Sequence, residues 1–276
     1  MKPQAVAFML EVQFGQATDF GKVRKNNEDA MGSFLPASRR QTRSHGYLFA
    51  VADGVGGMDL GEVASDKAIS VLTQEFSRAP GGALLNALLP RLIQKANFAV
   101  HDCSHEPQYE GKKMATTLVA CALRYDQAVV SHVGDSRCYL VRGGRARLVT
   151  QDHTWVNEQK KLGLISAAEI PDSASRHALI RSLGPEMFVA PDTTTLTVLP
   201  GDIFVLCTDG IHDEMEDEDI AAIVSQDKSP AALAADLVAR AVEMDGGDNT
   251  TAQVLCVRAV ERIGMYRGRP YRLPTL

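Results

Sequence analysis

The sequence predicts an α+β domain in which helices cover antiparallel strands. Residues 47–52 form an apolar run that stops at Asp53 and Gly54, which is typical of a strand buried on both faces. Apolar runs of strand length then follow one another through residues 116–149, and their short connections favour antiparallel pairing. Residues 62–78 and 83–105 carry apolar side chains at helical spacing, which predicts two helices on one face of a sheet.

The remaining elements are predicted from similar local patterns. Turn and loop composition predicts loops at residues 15–25 and 36–44, and Pro90 predicts a kink or break in the second helix. Ser229 and Pro230 mark the start of a further helix that extends to residue 244. We predict strands at residues 6–14, 30–35, 47–52, 116–124, 128–133, 137–142, 145–149, 193–199, 203–207 and 251–257, with those from 116 to 149 forming a meander.

The 276-residue chain is predicted to be one domain, because no Pro/Ser/Gly-rich linker divides it. We assign the domain to residues 1–260 and a basic tail, disordered or docked on a partner, to residues 261–276. Residues 151–183 interrupt the strand pattern with short helical pieces, including a capping-box spacing at residues 166–169. Such a long excursion predicts a flap that contacts substrate.

Composition narrows the class of protein. A net charge of −5 and a pI near 5.8 argue against nucleic acid as the main partner, although a phosphorylated substrate remains compatible with them. The five cysteines form no CxxC pair, which indicates a reducing compartment. The chain also has no apolar stretch long enough to span a membrane. We therefore expect a soluble, cytoplasmic monomer.

Acidic residues recur at the ends of predicted strands. Asp53 and Asp209 directly follow apolar runs, whereas Glu28, Asp29 and Asp248 directly precede them. In an antiparallel sheet the start of one strand lies beside the end of its neighbour, so these acids could gather at one edge. Crowded carboxylates are stable when cations lie between them, and oxygen ligands favour magnesium or manganese over zinc. The pattern therefore predicts a metal cluster.

Some residues near these segments have two interpretations. Arg24 lies four residues before Glu28, and a guanidinium beside a metal site suits a phosphate, yet such an arginine is also common in surface ion pairs. Asp135 could cap its own turn or join the acids. His153, His177 and His212 are interpreted as structural or exposed, and Cys207 as core.

Three motif matches fail. Asp59 occupies the place of the third glycine in a dinucleotide-binding fingerprint, and Val23 replaces the metal-binding hydroxyl of a nucleotide-binding loop. Cys256 and Arg262 have the spacing of thiol-based phosphatases, but apolar residues without glycine lie between them. These three classes are set aside.

Taken in order, the remaining motifs resemble those of the metal-dependent protein phosphatases of the PP2C type, especially the bacterial single-domain members. The resemblance covers about residues 15–257, and eight motifs in the family's order make it specific. They are RKNNED at 24–29, DGVGG at 53–57 with Gly61-Glu62 and Ala64-Ser65, Thr116-Thr117, GDSR at 134–137, Asp152-His153, RSLG at 181–184, TDG at 208–210 and GDNT at 247–250.

The resemblance implies a four-layer α-β-β-α sandwich with two central, mainly antiparallel sheets. It also implies roles for the candidate residues and a cofactor set of two or three Mn²⁺ or Mg²⁺ ions. Asp53 would bridge two ions and Arg24 would hold the substrate phosphate. The other ligands would be Asp209 and Asp248 on the first ion, Glu28 and the Gly54 carbonyl on the second, Asp29 through a bound water, and Asp135 with Asp209 on a third.

The implied activity is hydrolysis of phosphoserine and phosphothreonine in proteins, opposing a bacterial-type kinase. Two ions about 4 Å apart lower the pKa of a shared water, whose hydroxide attacks phosphorus in line, so no side-chain nucleophile is required. Val55 stands where animal members carry a histidine proposed as general acid, so metal-bound water or another group must fill that role. Ala115 replaces a common glycine before Thr116, with a small local effect.

Two other functions fit the same residues. A phosphatase-like binding module without turnover would bind phosphopeptides and not hydrolyse them, although all the expected acids are present. A phosphatase for a small metabolite or nucleotide would prefer free phosphomonoesters over phosphoproteins.

Overall fold

Ten strands of the computed structural model form two antiparallel five-stranded sheets, and the structure describes residues 9–55, 60–164, 177–266 and 269–272. The first sheet has the order β1-β10-β9-β6-β7 and the second has the order β2-β3-β4-β5-β8. The strands are β1 Glu11–Asp19, β2 Asp29–Phe34, β3 Tyr47–Asp53, β4 Leu118–Arg124, β5 Gln127–Val133, β6 Arg137–Arg142, β7 Arg145–Leu148, β8 Asp192–Thr197, β9 Ile203–Cys207 and β10 Thr250–Ala259.

Helices lie on the outer face of each sheet. The long helices α2 and α3 pack on the second sheet, whereas α6 and α7 pack on the first. The helices are α1 Arg39–Ser44, α2 Gly61–Arg78, α3 Leu85–Ser104, α4 Trp155–Lys161, α5 Asp209–His212, α6 Asp217–Val224 and α7 Pro230–Met244, with a short 3-10 helix at Pro107–Tyr109. The predicted α+β sandwich of four layers is confirmed.

Successive side chains of β3 lie on opposite faces of the sheet, and this explains the continuous apolar run of the strand. Leu48 and Ala50 face α2 and α3, whereas Phe49 and Val51 face the other sheet. Both faces of the strand are therefore buried, so neither face needs polar residues. Phe49 also packs against Phe14 of β1, with ring centroids 5.1 Å apart, and this contact joins the two sheets.

The predicted meander is wrong at one point. β4 pairs with β5 and β6 pairs with β7, but β5 and β6 belong to different sheets. The chain crosses between the sheets at residues 134–136, where Gly134 has a φ of +100° that favours glycine. A short connection predicts an antiparallel hairpin only when the chain continues within one sheet.

Several predicted boundaries also differ from the structure. The first strand continues to Asp19 through residues predicted as a loop, because it pairs with β10 along its whole length. Residues 39–44 form α1, for which Ser38 is the N-cap, and Pro90 lies inside a continuous α3 whose inner face is buried. Part of the basic tail forms a hairpin, β11 Ile263–Tyr266 with β12 Arg269–Arg272. The capping box predicted at residues 166–169 lies outside the described residues.

Among the helices that the structure describes, none is both long enough and apolar enough to cross a lipid bilayer.

Phe49 is fully buried between the sheets, so truncating its side chain should strongly destabilise the folded protein. We expect Phe49→Ala to lower the free energy of unfolding by about 3–5 kcal/mol, because the truncation leaves a cavity that the sheets cannot fill. Urea denaturation of the metal-free protein measures this change. Phe188→Ala is the matched control, since Phe188 is 78% exposed, and an equal loss in both variants would contradict this description of the core.

Candidate metal centre

The ends of β2 and β3 place three of the predicted residues together. Asp29, the first residue of β2, pairs in register with Asp53, the last residue of β3. The Gly54 N–H donates to the Glu28 carbonyl at 3.0 Å, which extends this pairing by one step. The two sequence segments therefore meet because β2 and β3 are antiparallel neighbours, as predicted.

The Asp53 backbone is fixed by the segment that enters β4. Its carbonyl accepts from the Thr117 N–H at 2.8 Å and from the Thr116 hydroxyl at 2.8 Å, and its N–H donates to the Thr117 Oγ1 at 3.0 Å. The hydrogen bonds of both threonines explain why this pair accompanies Asp53. The Asp53 side chain is thereby left to point into the cleft.

Two glycines allow backbones to approach closely beside these acids. A Cβ on Gly54 would lie 2.5 Å from the Gly61 carbonyl carbon, and a Cβ on Gly61 would lie 2.8 Å from Glu28 Oε2. A larger residue at either position would push the start of α2 away from Glu28. The Ser65 hydroxyl of α2 donates to the Glu28 carbonyl at 2.6 Å, which holds the same arrangement from the helix.

The first sheet contributes Asp209 and Asp248. Asp209 begins α5 directly after β9, and Asp248 lies just before β10, the antiparallel neighbour of β9. A Cβ on Gly210 would lie 2.2 Å from the Asn249 carbonyl oxygen, so the two segments are in contact. Asn249 Oδ1 accepts from the Glu28 N–H at 2.7 Å and so joins this sheet to the second.

Asp135 reaches the same cleft from the connection between the sheets. It is buried, and Gly134 beside it exchanges backbone and side-chain hydrogen bonds with His153. On the other side, His212 Nε2 lies 3.0 Å from the Asp135 carbonyl oxygen. Two histidines interpreted from sequence as structural therefore hold the loop that carries this acid.

Most of these groups line an open cleft with a volume of about 440 Å³, but Glu28 and Asp29 are not among the residues that line it. Arg24, Asp53, Gly54, Asp135, Asp209 and Asp248 all contribute to its walls. Arg24 Nη2 donates to Asp248 Oδ2 at 2.6 Å, so the guanidinium lies at the cleft with Asp248 as its partner. Asp29 lies beneath the wall, where its Oδ2 accepts from the Thr208 hydroxyl at 2.9 Å.

Electrostatic crowding is severe in the absence of cations. Burial, followed by repulsion from Asp209 and Asp29, raises the pKa of Asp53 well above its usual range. Burial raises the pKa of Asp29 to about 7 and that of Asp135 to about 7, with repulsion from Asp209 adding to both shifts. The pKa of Asp209 and that of Glu28 are also raised, mainly by burial.

The donor set fits hard divalent cations. Within the described part of the chain, the buried oxygens Asp29 Oδ1 and Asp209 Oδ1 have no hydrogen-bond partner. A native structure rarely leaves such acceptors unpaired, and a cation between the carboxylates would satisfy them and offset their repulsion. Carboxylate and carbonyl oxygens are the ligands that Mg²⁺ and Mn²⁺ prefer.

Two residues of the cleft wall were not predicted from sequence as part of the centre. His177 and Asp213 each place a ligand atom within 4.8 Å of an Asp209 oxygen and lie 3.4 Å from each other. Asp213 is one turn after Asp209 in the α5 segment, which is a spacing that could have indicated it. No local pattern distinguishes His177, because it reaches the cleft from the returning end of the segment 151–183.

That segment is tied to the metal centre at both ends. The Ile180 N–H donates to the His153 carbonyl at 2.9 Å, and Leu183 forms a bridge with Thr116. Arg181 Nη1 lies 2.9 Å from Asp192 Oδ1 and 3.2 Å from His153 Nε2. The RSLG motif therefore connects the end of the excursion to the loops that carry Asp135 and Asp53.

Comparison with known proteins identifies the family. The model of the family "Protein phosphatase 2C" matches residues 23–243. The serine/threonine phosphatase stp of Listeria welshimeri is 32% identical over 257 residues, which are 91% of this chain and 96% of that protein. The serine/threonine protein phosphatase PstP of Mycobacterium tuberculosis is 35% identical over 247 residues, which are 89% of this chain and 45% of that protein.

Solved structures agree with the fold and with a manganese cofactor. The serine/threonine phosphatase of S. agalactiae superposes with a TM-score of 0.81 at 29% identity, covering 90% of this chain and all of that one. The catalytic domain of PstP in complex with two manganese ions superposes with a TM-score of 0.75 at 33% identity, covering 91% of this chain and all of that one. With its two sheets and converging acids, the chain belongs to the protein phosphatase 2C family of metal-dependent serine/threonine phosphatases.

Proposed function

We propose that this chain hydrolyses phosphoserine and phosphothreonine in proteins with two divalent ions held between the ends of its two sheets. The observation that carries this proposal is the convergence of carboxylates from both sheets at one cleft, with buried, unpaired oxygens on Asp29 beneath its wall and on Asp209 in its wall. The family to which the chain belongs supports the reaction class. Bound in the cleft, Mn²⁺ or Mg²⁺ would lower the pKa of water and so supply hydroxide at neutral pH.

Each acid has a role in this proposal. Asp53, with carboxylate neighbours on both sides, would bridge the two ions. Asp209 and Asp248 would complete one site, and Glu28 with the Gly54 carbonyl would complete the other. Asp29 would orient water from beneath, and Asp135 with Asp209 would hold a third, weaker ion.

Arg24 would bind the substrate phosphate. Its Nη2 donates to Asp248, while its remaining N–H groups can donate to phosphate oxygens in the same plane. A guanidinium in that position offsets charge on the equatorial oxygens as the serine or threonine oxygen leaves.

The cellular setting is also a proposal. All five cysteines are free and buried, which fits the reducing cytoplasm. We also infer that the chain acts as a monomer. We infer phosphorylated proteins as substrates, with a serine/threonine kinase supplying them, and we assign residues 1–260 to one catalytic domain.

Replacing either of two proposed metal ligands should strongly slow turnover. We expect Asp53→Asn and Asp209→Asn each to lower kcat on a phosphothreonine peptide by at least about 100-fold, because each removes a charged metal ligand. Steady-state kinetics at saturating Mn²⁺ provide the measurement. Asp66→Asn, on the exposed face of α2, is the control and should retain activity.

Two outcomes would favour other functions. Binding of phosphopeptide with no detectable hydrolysis by the manganese-loaded protein would indicate a silent binding module. Faster hydrolysis of free phosphorylated metabolites than of phosphopeptides would indicate a small-molecule phosphatase.

Truncating Arg24 should both weaken substrate binding and slow turnover, because the proposed contact to the phosphate is made in the ground state and in the transition state. We expect Arg24→Ala to raise KM for the phosphopeptide about 10-fold, and Arg24→Lys to give a smaller rise, because an ammonium cannot form the planar fork. Arg78→Ala, which removes an arginine whose side chain is 70% exposed, serves as the control. A changed Mn²⁺ requirement without a changed KM would instead assign Arg24 to positioning Asp248.

The raised pKa values of Asp29 and Asp135 predict a pH dependence of metal-free stability. Their folded values of about 7 exceed the usual value of about 3.9, so between these pH values the folded chain holds more protons than the unfolded chain. The protonated carboxyl groups of Asp29 and Asp135 therefore make their full contribution to the free energy of unfolding below about pH 4. That contribution is lost as the pH rises through 7. Metal-free Asp29→Asn should lose less stability than the wild type between pH 5 and pH 8.

Denaturant titrations of both proteins at several pH values, with chelator present, measure this difference. Asp66→Asn should follow the wild-type pH profile. Equal slopes for the wild type and Asp29→Asn would show that the folded pKa of Asp29 is not raised.

A further inference from the structure

A pocket rich in arginine lies at the opposite end of the second sheet from the metal centre. It has a volume of about 460 Å³, and its lining contains no acidic residue. We call it the arginine pocket. Its lining residues are Arg39, Arg40 and Arg43 of α1, with Ser44, Gly81, Gly82 and Tyr125.

The position of the pocket follows from the strands. α1 leads into β3, since the Gly46 N–H donates to the Gln41 carbonyl at 3.2 Å, and Tyr125 lies in the turn between β4 and β5. Asp53 is at the other end of β3, six residues after Tyr47, which corresponds to about 20 Å of strand. The pocket is therefore separate from the catalytic cleft.

Two of the arginines take part in no ion pair among the described residues. Arg39 and Arg40 are exposed, and the ion pairs found among the described residues include neither of them. Arg43 is half-exposed and pairs with Glu261 at 2.9 Å. Among the described residues, one of the three guanidinium groups therefore has an acidic partner in an ion pair, on a chain whose net charge is −5.

A fourth guanidinium supports the pocket from below. Arg124 donates to the Ser44 carbonyl at 3.0 Å and to the Ala83 carbonyl at 2.8 Å, and it lies 5.7 Å from the centre of the Tyr125 ring. Burial lowers the pKa of Arg124, and no described carboxylate bonds to it. Its positive charge therefore adds to the field of the pocket without local neutralisation.

The pocket wall is also rigid. Tyr125 has a φ of +61°, a left-handed conformation that is costly for an aromatic residue, so the surrounding contacts must hold it. The Gly82 N–H donates to the Ser44 carbonyl at 2.7 Å, and His45 Nε2 lies 2.9 Å from the Ala79 carbonyl oxygen. These contacts fix the backbone that forms the floor of the pocket beside the arginines.

We propose that the arginine pocket binds a second phosphate group on a multiply phosphorylated protein substrate. Guanidinium groups suit this ligand, because their planar N–H pairs match phosphate oxygens. Engagement of one phosphate there raises the local concentration of another phosphate at the metal centre. This inference rests on the proposed function, since it assumes that phosphoproteins are the substrates.

The test uses the full chain loaded with manganese and two peptides of one sequence. One peptide carries two phosphothreonines about 20 residues apart, which can span more than 60 Å when extended, and the other carries only the first of them. For the wild type we expect a KM roughly fivefold lower for the doubly phosphorylated peptide. The double variant Arg39→Gln/Arg40→Gln should lose this preference while kcat and the hydrolysis of p-nitrophenyl phosphate stay unchanged.

The matched control is Arg145→Gln/Arg147→Gln, which removes the same charge from exposed positions on β7. The control should keep the preference for the doubly phosphorylated peptide. The proposal is overturned by any of three results: no preference in the wild type, a preference retained in Arg39→Gln/Arg40→Gln, or an equal loss in the control.

A lipid surface presents similar chemistry and is a separate outcome. Binding to vesicles of phosphatidylglycerol and phosphatidylcholine that depends on Arg39 and Arg40, without a peptide preference, would overturn the proposal in favour of a membrane contact. Failure of all phosphopeptide hydrolysis would contradict the proposed function itself, so the two failures are distinguishable.

Discussion

Mutual repulsion among buried carboxylates is the constraint on which the rest of this structure depends. Antiparallel pairing brings Asp29 beside Asp53 and brings Asp209 close to Asp248, and the contact between the sheets then faces the two pairs toward each other. Without cations the protein must hold protons on groups that normally lose them well below neutral pH. The close approach at the glycines and the hydrogen bonds of the threonines hold this electrostatically unfavourable cluster in place.

Much of the fold could be predicted because the strands are local and strongly patterned. The run at residues 47–52 is buried on both faces, so its sequence indicates a central strand without further information. The division of strands between two sheets could not be predicted, because the Gly134–Asp135 connection is as short as a hairpin turn. Residues 39–44 are polar and basic, and their helix depends on the Ser38 cap and on contacts with distant segments.

The candidate site could likewise be predicted only in part. Acids at strand ends are visible in the sequence, since each borders an apolar run of strand length. The family resemblance assigned them roles that composition and spacing alone could not. His212 and His177 carry no comparable signal, because their position depends on how α5 and the segment 151–183 return to the cleft.

The centre is divided between the two sheets, and this division has a consequence for how the protein matures. Asp29 and Asp209 are 180 residues apart in the chain, and each sheet carries only part of the proposed set of metal ligands. Such distant partners meet late in folding, because a long loop must close first. A partly synthesised or half-folded chain would thus be catalytically inert, and a growing polypeptide would gain the power to erase phosphorylation signals only once its last strands had docked.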